Sequence, residues 1–436
     1  MRAGRDGGGV TGAVEDVDQF RARARAWIEA NLEPRDPSLP REFDFAAERA
    51  LQARMFDAGF TGFMFPTEYG GLGLTIDHQR AFFEEAAGYF TPSYFAVSIG
   101  MLGATILDCG TEEQKTHHLP AILRADEIFV QLLSEPSGGS DLAGALTRAT
   151  RDGDTWVING SKIWTSGGDV ATHGLMLART DWDVPKHRGL SMLIVPLGDH
   201  PGVTIEPIMQ VNGDADFCQE FFDDVTVPVG NLLGAENEGW AVAQRLLFNE
   251  RNTTAGIGIG HGYMANLSGS VRGDATIGER LQRLLHAAAR RGADTDPEIR
   301  RLIGRTGVDL VAHEFARRRI MTGQTLGALD GPWGSLLKLG EGIDSPAIAA
   351  DALAIAGASG VISVDDAAGG DQGAAWIASR GISIGGGSNE MQRNIVSERL
   401  LGLPRELDPS RELPFSEIQE RRRRAQRDRT PSGGHR

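Results

Sequence analysis

The sequence predicts an α+β protein in three parts: an N-terminal helical domain, a middle domain built on an antiparallel sheet, and a C-terminal helical bundle. Three changes of pattern predict it. Up to about Asp126 the apolar residues recur at helical spacing, and from Ile128 to about Leu233 they alternate between turn signals. Beyond Glu238-Gly239-Trp240 the helical period returns. The expected boundaries are a flexible start over 1–13, domains over 14–127, 128–235 and 236–403, and a polar tail over 404–436.

In the first domain, Val17, Phe20, Ala24, Trp27 and Ile28 set an amphipathic helix over Val14–Leu32, and Ala46–Ala58 reads likewise. A glycine-heavy turn over Pro66–Gly73 breaks the pattern. Helices resume over Asp77–Gly88 and Phe95–Leu107. Gly110-Thr111-Glu112-Glu113-Gln114-Lys115 is a capped helix start, with Thr111 as N-cap and Gln114 at the third helical position.

The middle domain opens with the apolar run Gln131-Leu132-Leu133, which stops at Ser134-Glu135-Pro136. Ser137-Gly138-Gly139-Ser140-Asp141 follows, a loop able to offer amides and a hydroxyl to a phosphate or a carbonyl. Turns are expected at Asp152-Gly153, Asn159-Gly160, Gly168-Asp169, Pro201-Gly202 and Asn212-Gly213-Asp214, with Glu220–Pro228 as the last strand. The picture is a sheet carrying a polar loop and an exposed aromatic, Trp164. In the third domain, helices are expected over Ala241–Phe248, Ile299–Leu326, Ser335–Leu339, Ile348–Ile355 and Asn389–Leu401. Loops are expected at Gly292–Asp296 and Gly357–Asp371. From Pro404 the chain reads as a peripheral or frayed tail, in which Arg421–Arg424 is solvated or disordered.

With 436 residues, 41% of them hydrophobic, the chain has material for a sizeable core in two or three domains. A formal charge of −15 argues against non-specific nucleic-acid binding, which rests on cationic contacts with phosphate. The apolar runs are shorter than the ~18 residues of a membrane span, and the start lacks the apolar core of a signal peptide, so the cytoplasm is expected. Cys109 and Cys218 make neither a disulfide framework nor a metal cage and read as inert core residues. Gly256-Ile-Gly258-Ile-Gly260-His-Gly262 follows a helix where a dinucleotide loop follows a strand. His117-His118 shows no acidic or cysteine companion in sequence, so no metal site is expected. No Gly-x-Ser-x-Gly elbow is present, and Ser134 and Ser140 lack an evident histidine partner for nucleophilic work.

Ser134-Glu135-Pro136-x-x-Gly139-Ser140-Asp141 followed by Val157-Ile158-Asn159-Gly160-x-Lys162-x-Trp164-x-Ser166 resembles the flavin-facing domain of the acyl-CoA dehydrogenase family. The Glu68-Tyr69-Gly70-Gly71-Leu72-Gly73 turn and the Gly110–Lys115 helix start recur in that family too, so the resemblance covers roughly Val14 to Glu406. It implies the acyl-CoA dehydrogenase-like fold, bound FAD, and introduction of a trans α,β double bond into an acyl-CoA. The β-hydride then goes to flavin N5 and electrons leave through electron-transfer flavoprotein. A homotetramer or heterotetramer (or a dimer) is implied, its C-terminal helices forming the core.

By the same resemblance, Gln131, Leu133 and Ser134 line the isoalloxazine edge, Ser140 meets phosphate or substrate, Trp164 packs on the flavin, and Ser166 donates near N5. Ser388 and Glu390 match positions at the FAD adenosine portion. Many members carry their catalytic glutamate at the position of Gly386, within Gly385–Arg393. Others carry it on the helix opening the C-terminal domain, where this chain has Asn249-Glu250-Arg251. Glu250 is therefore the expected base, the Gly386 amide a donor to the enolate oxygen, and Arg251 a structural partner or a contact to the CoA portion. The glycines at 256–262 are expected to leave room beside Glu250 for a wide acyl group. Where many members have a glutamine and paired glycines contacting the pyrophosphate across a subunit interface, this chain has Leu353-Ala354-Ile355-Ala356-Gly357, retaining only Gly357. Three rival readings follow: a relative acting on carrier-protein thioesters, a flavin oxidase or monooxygenase on the same fold, and a non-catalytic subunit of a hetero-oligomer.

Overall fold

The computed structural model describes residues 14–35, 44–92, 94–254, 258–260, 277–361 and 372–429. The expected flexible start over 1–13 and most of the glycine stretch at 256–262 lie outside the described residues, as do 362–371 of the expected Gly357–Asp371 loop.

Helices α1 (Val17–Asn31), α2 (Phe45–Asp57) and α3 (Ile76–Glu85) form the first layer. The Asp16 carboxylate accepts from the amides of Asp18 and Gln19, which would otherwise be unpaired at the start of α1. The apolar face of α1 buries Phe20, Ala24 and Ile28 against Leu51 and Met55 of α2 and Phe82 of α3. Where a plain helix is expected over Phe95–Leu107, the chain instead runs as a π-helix over Val97–Gly103 and then α4 (Ala104–Cys109). The wider turn keeps Ser98 to Gly103 buried. The Ser98 hydroxyl accepts from Phe129 N (3.0 Å), and the carbonyl of Gly100 accepts from the Thr253 hydroxyl (2.9 Å), so this segment ties the sheet to the C-terminal domain. Helix α5 (Glu112–Arg124) starts on the expected capping box, with Gln114 N donating to Thr111 Oγ1 and Thr111 N donating to the Gln114 side chain.

The strands are β1 (Phe129–Leu132), β2 (Arg148–Asp152), β3 (Thr155–Ser166), β4 (His173–Arg179), β5 (Leu190–Pro196), β6 (Val203–Ile208), β7 (Phe217–Pro228) and β8 (Leu232–Leu233). They form one sheet in the order β6-β7-β3-β2-β4-β5-β8, with β1 beside β4. Most pairings are antiparallel, but β1 joins β4 in parallel, as does β2 at the single pair Arg148–Arg179. Alternation decides the two cores. Leu175 and Leu177 of β4 face the helical core with Ile99, Leu119 and Leu246, while Met176 and Ala178 face Trp156, Ile158 and Val225.

Asp152-Gly153 turns β2 into β3 as expected. Asn159-Gly160 does not turn: β3 runs through it with a bulge opposite β7. A side chain at Gly160 would strike Thr147, and the Asn159 amide is engaged by Asp224. The last strand is β8, not Glu220–Pro228.

The third part holds α6 (Gly239–Thr254), α7 (Ile277–Arg290), α8 (Pro297–Thr325), α9 (Gly334–Ala356), α10 (Gln372–Ile382) and α11 (Asn389–Ile395), which a further π-turn carries to Leu400. The expected pieces Ser335–Leu339 and Ile348–Ile355 are one helix, with Pro346 accommodated inside it. Helices α7 and α10 lie outside the expected set, although Leu281, Leu284, Leu285 and Ala288 repeat at helical spacing. The expected frayed tail contains α12 (Phe415–Arg429), whose Phe415 is fully buried. Phe415 N donates to Val184 O and Ser416 N to Trp182 O, so the tail docks on the sheet domain.

Candidate functional site

On the sheet side, a polar loop and an aromatic are held together by a buried ion pair. Lys162 stands two residues before Trp164 on β3, and its ammonium donates to Glu135 (2.9 Å), Leu133 O (3.2 Å) and Leu177 O (2.7 Å). Glu135 also accepts from the amides of Leu146 and Thr147. Burial alone pushes the Glu135 carboxyl up, but the Lys162 charge and these donors outweigh it and hold it below the usual range. The amide of Ile163 donates to Ser134 O (3.0 Å), which fixes the loop against β3. Leu133 is buried beneath it, and Ser140 is exposed at the far end.

Trp164 sits on a second bulge of β3, between Ile163 and Thr165. Its φ is 68°, in the left-handed region that non-glycine residues rarely adopt, and its side chain is 56% exposed. A backbone outlier of this kind costs roughly 1–3 kcal/mol and persists where the surroundings fix it. The bulge therefore lifts a large apolar ring off the sheet beside exposed Ser166. Beneath, Thr165 donates to the buried Glu220 carboxyl (2.8 Å), whose other oxygen has no partner among the described residues. Burial pushes Glu220 up to about 7.

The helical side supplies a carboxylate. Glu250 lies on α6 beside Asn249, which donates to Thr105 and Asp108 and so fixes the helix on α4. Part of Glu250 reaches solvent, yet the surrounding protein desolvates its carboxyl and pushes it up. A hydrogen bond from Gln131 and the charges of Arg251 and Lys338 pull it back in part. Gly386 lies directly against it: a Cβ there would be 3.1 Å from Glu250 Oε1 and 3.1 Å from Lys338 Cε. Gly386 has φ 67°, Gly387 has φ 88°, and Gln392 donates to both their carbonyls (3.0 and 3.2 Å). Two positions 136 residues apart in sequence thus occupy one place, one bearing the carboxylate and the other leaving room for it.

Lys338 is the residue that sequence reasoning missed. It comes from α9 and donates to Ile382 O at the end of α10, just before the glycine loop. A lone lysine in Ser-Leu-Leu-Lys-Leu carries no motif signal. Arg251 is partly buried next to Glu250, and burial lowers its pKa against the opposing pull of Glu250.

The remaining expected residues divide. Ser388 caps α11, accepting from Met391 N (3.3 Å), and exposed Glu390 pairs with Arg393. Gly357 ends α9, where its φ of 63° closes the helix and Arg291 donates to the carbonyls of Ala354 and Ile355. Nineteen residues beyond Lys338 on a helix is roughly 28 Å, so within one chain Gly357 does not join the Glu250 cluster. His117 and His118 do have an acidic companion: their ring nitrogens lie 3.8 and 2.7 Å from Glu127, which the turn after α5 brings back to them. Burial pushes both thiols, Cys109 and Cys218, up.

Trp164 fits a flat aromatic ligand: an apolar ring is held in solvent by a strained backbone, beside the exposed Ser166. On the far side of α6 from Glu250, a cavity of about 180 Å³ is lined by Gly100, Ala104, Asn249, Asn252, Thr253 and Ile259. No helix among the described residues is long and apolar enough to cross a membrane.

Three sequence families match in order: acyl-CoA dehydrogenase N-terminal domain over residues 14–126, middle domain over 131–225, and C-terminal domain over 237–401. "Acyl-CoA dehydrogenase IpdE1" of Mycobacterium tuberculosis is 36% identical over 412 residues, covering 90% of this chain and 99% of that protein. Among solved structures, "Tcur3481-Tcur3483 steroid ACAD" superposes with a TM-score of 0.72 at 30% identity, covering 89% of this chain and 98% of that one. The ChsE4-ChsE5 complex from Mycobacterium tuberculosis gives 0.69 at 28% identity, over 89% and 98%. The chain therefore belongs to the acyl-CoA dehydrogenase family, and its activity is the flavin-dependent dehydrogenation of an acyl-CoA thioester.

Proposed function

We propose that the flavin is FAD, that Glu250 is the base, and that the acyl group is bulky and cyclic. The observation that supports the reading is the packing of Glu250 against Gly386: the family resemblance expects the base at one or the other position, and of the two only Glu250 bears a carboxylate. FAD supplies the hydride acceptor when bound. Trp164, Ser166 and the Gln131–Ser134 run would hold its ring system, and Ser388 and Glu390 its adenosine end.

Glu250 takes the α-proton of the thioester. A carboxylate held in a desolvated place binds a proton more tightly than one in water, which narrows its gap to a weak carbon acid. The Gly386 amide lies on the rim of the same place and donates to the oxygen that gains charge as the proton leaves; one such donor is typically worth ~2.7–4 kcal/mol. The charges of Arg251 and Lys338 favour the ionised form of Glu250 against its burial. The absence of a side chain at Gly386 leaves the room that the Glu250 carboxylate and the Lys338 stem occupy. A solved relative whose title calls it a steroid ACAD makes a fused-ring substrate the favoured one. The paired names in two relatives' titles support assembly with a second, related chain, and the family resemblance supports electron-transfer flavoprotein as acceptor.

The test is anaerobic bleaching of the bound flavin by straight-chain, branched and polycyclic acyl-CoAs, beside the Glu250→Gln variant. Bleaching by the polycyclic class, lost in the variant, is expected. Preferred turnover of butyryl-CoA would remove the bulky-substrate reading, and bleaching undiminished in the variant would remove Glu250 from its role.

A further inference from the structure

The reaction handles the acyl end, but the substrate also carries a 3′-phospho-ADP end, a polyanion. A chain with a formal charge of −15 repels such a ligand unless cations are gathered where it lies. One such gathering stands beside the loop that holds Ser140, and it is made by the tail.

Asp141, next to Ser140, is held between Lys186 (2.8 Å) and Arg422 of α12 (3.7 Å). The start of α12 is firmly seated. Phe415 packs on Trp182 with ring centroids 5.6 Å apart, the Arg179 guanidinium lies 4.0 Å over the Phe415 ring, and the Ser416 hydroxyl donates to Asp183 (3.0 Å). Arg148 lies over the other aromatic of the pair, Trp182, at 4.9 Å. Arg411 acts on His187 together with Lys186, so the segment leading into α12 adds to the same positive region. Further along α12, Arg421 and Arg424 are neutralised by Glu417 and Glu420, whereas Arg423 and Arg427 make no ion pair with the described residues. The C-terminal family match ends at residue 401, so this helix lies outside the matched stretch.

We propose that α12 is an anion-binding arm of the active site, with Arg422, Arg423 and Lys186 receiving phosphates of the 3′-phospho-ADP end of the acyl-CoA. It rests on the reading that an acyl-CoA is the substrate. Arginine forks match phosphate oxygens two at a time, and a phosphate displaces Asp141 as the partner of Lys186 and Arg422. The seated aromatic base keeps the arm in place at little further entropic cost.

The experiment uses the full-length flavin-loaded enzyme and the Arg422→Ala/Arg423→Ala double variant, assayed with one acyl group on CoA, on dephospho-CoA and on pantetheine. Two exposed charge contacts at up to ~1 kcal/mol each correspond to a KM for the acyl-CoA raised by up to about thirtyfold, with kcat held. The rise should shrink for the dephospho-CoA thioester, vanish for the pantetheine thioester, and fade as salt is added. Arg422→Lys/Arg423→Lys should recover most of the loss. An unchanged KM for the acyl-CoA in a variant that turns over normally would overturn the arm alone, as would an equal rise for all three thioesters. Wild-type enzyme that oxidises none of the three would overturn the substrate reading, and the arm with it.

Discussion

The two sides of the site are built by opposite means. The sheet side is braced: Lys162 and Glu135 are buried together, saturated with hydrogen bonds, and tied to the backbone at Leu133, Leu146, Thr147 and Leu177. The helical side is spare, with one desolvated carboxylate, a glycine loop that leaves space, and two cations nearby. The difference fits the proposed tasks. Holding a planar group requires geometry that does not yield, whereas taking a proton requires a carboxylate whose ionised form is only moderately favoured.

The variants that separate the two sides differ in which quantity they change. Glu250→Gln should lower kcat by about 10²–10⁴-fold, the usual share of a positioned base, while flavin content measured by absorbance stays at the wild-type level. Flavin lost along with turnover would mean that Glu250 belongs to the brace. Lys162→Met should do the reverse, because it strands a buried carboxylate; unfolding in denaturant should show a loss of ~3–5 kcal/mol. A loss under ~1 kcal/mol would show that the pair braces nothing.

Glu220 gives the sheet side a pH signature. Its folded pKa, about 7, stands above the ordinary 4.5, so the folded state binds its proton more tightly than the unfolded chain does. The resulting stabilisation is fully present below about 4.5 and is lost as pH rises through about 7, a change of a few kcal/mol at most. Glu220→Gln should remove this contribution between pH 5 and pH 8; thermal melts with the same slope in both proteins would reject the assignment. The smallest effect belongs to Lys338. In its proposed role Glu250 works ionised, so kcat/KM should fall on the acid side, with the limb set above the usual carboxylate range. Lys338→Met removes a charge that favours ionisation and should move that limb to higher pH. A limb that stays put, or moves down, would detach Lys338 from the proton transfer.

Much of this was legible in the chain itself. Period-two runs marked the sheet, and the spacing from Ser134 to Ser166 marked its loop and aromatic because those residues are near in sequence. Glu250 and Gly386 were linked only by family resemblance, since no local pattern joins residues that the fold brings together. Asn159-Gly160 misled because its dipeptide favours a turn, while pairing with β7 on both sides holds the strand straight through it. Glu127 reached His118 only through the turn after α5. Lys338 was illegible because its effect is electrostatic and acts across two helices. The tail looked frayed because its charges dominate its composition, and the seating of Phe415 depends on a sheet that composition does not show.

The backbone at Trp164 bears on how this enzyme would fare under selection for robustness. A glycine at 164 would relieve the left-handed strain, and that gain is similar in size to the entropy a glycine loses on folding and the Phe217 contact given up. A melting-temperature survey would therefore rank the position as permissive, although the ring proposed to face the cofactor would be gone. On the proposed role of the ring, tolerance measured by folding and tolerance measured by catalysis diverge at this residue, and a library sorted only for heat resistance would accumulate well-folded proteins that have lost their chemistry.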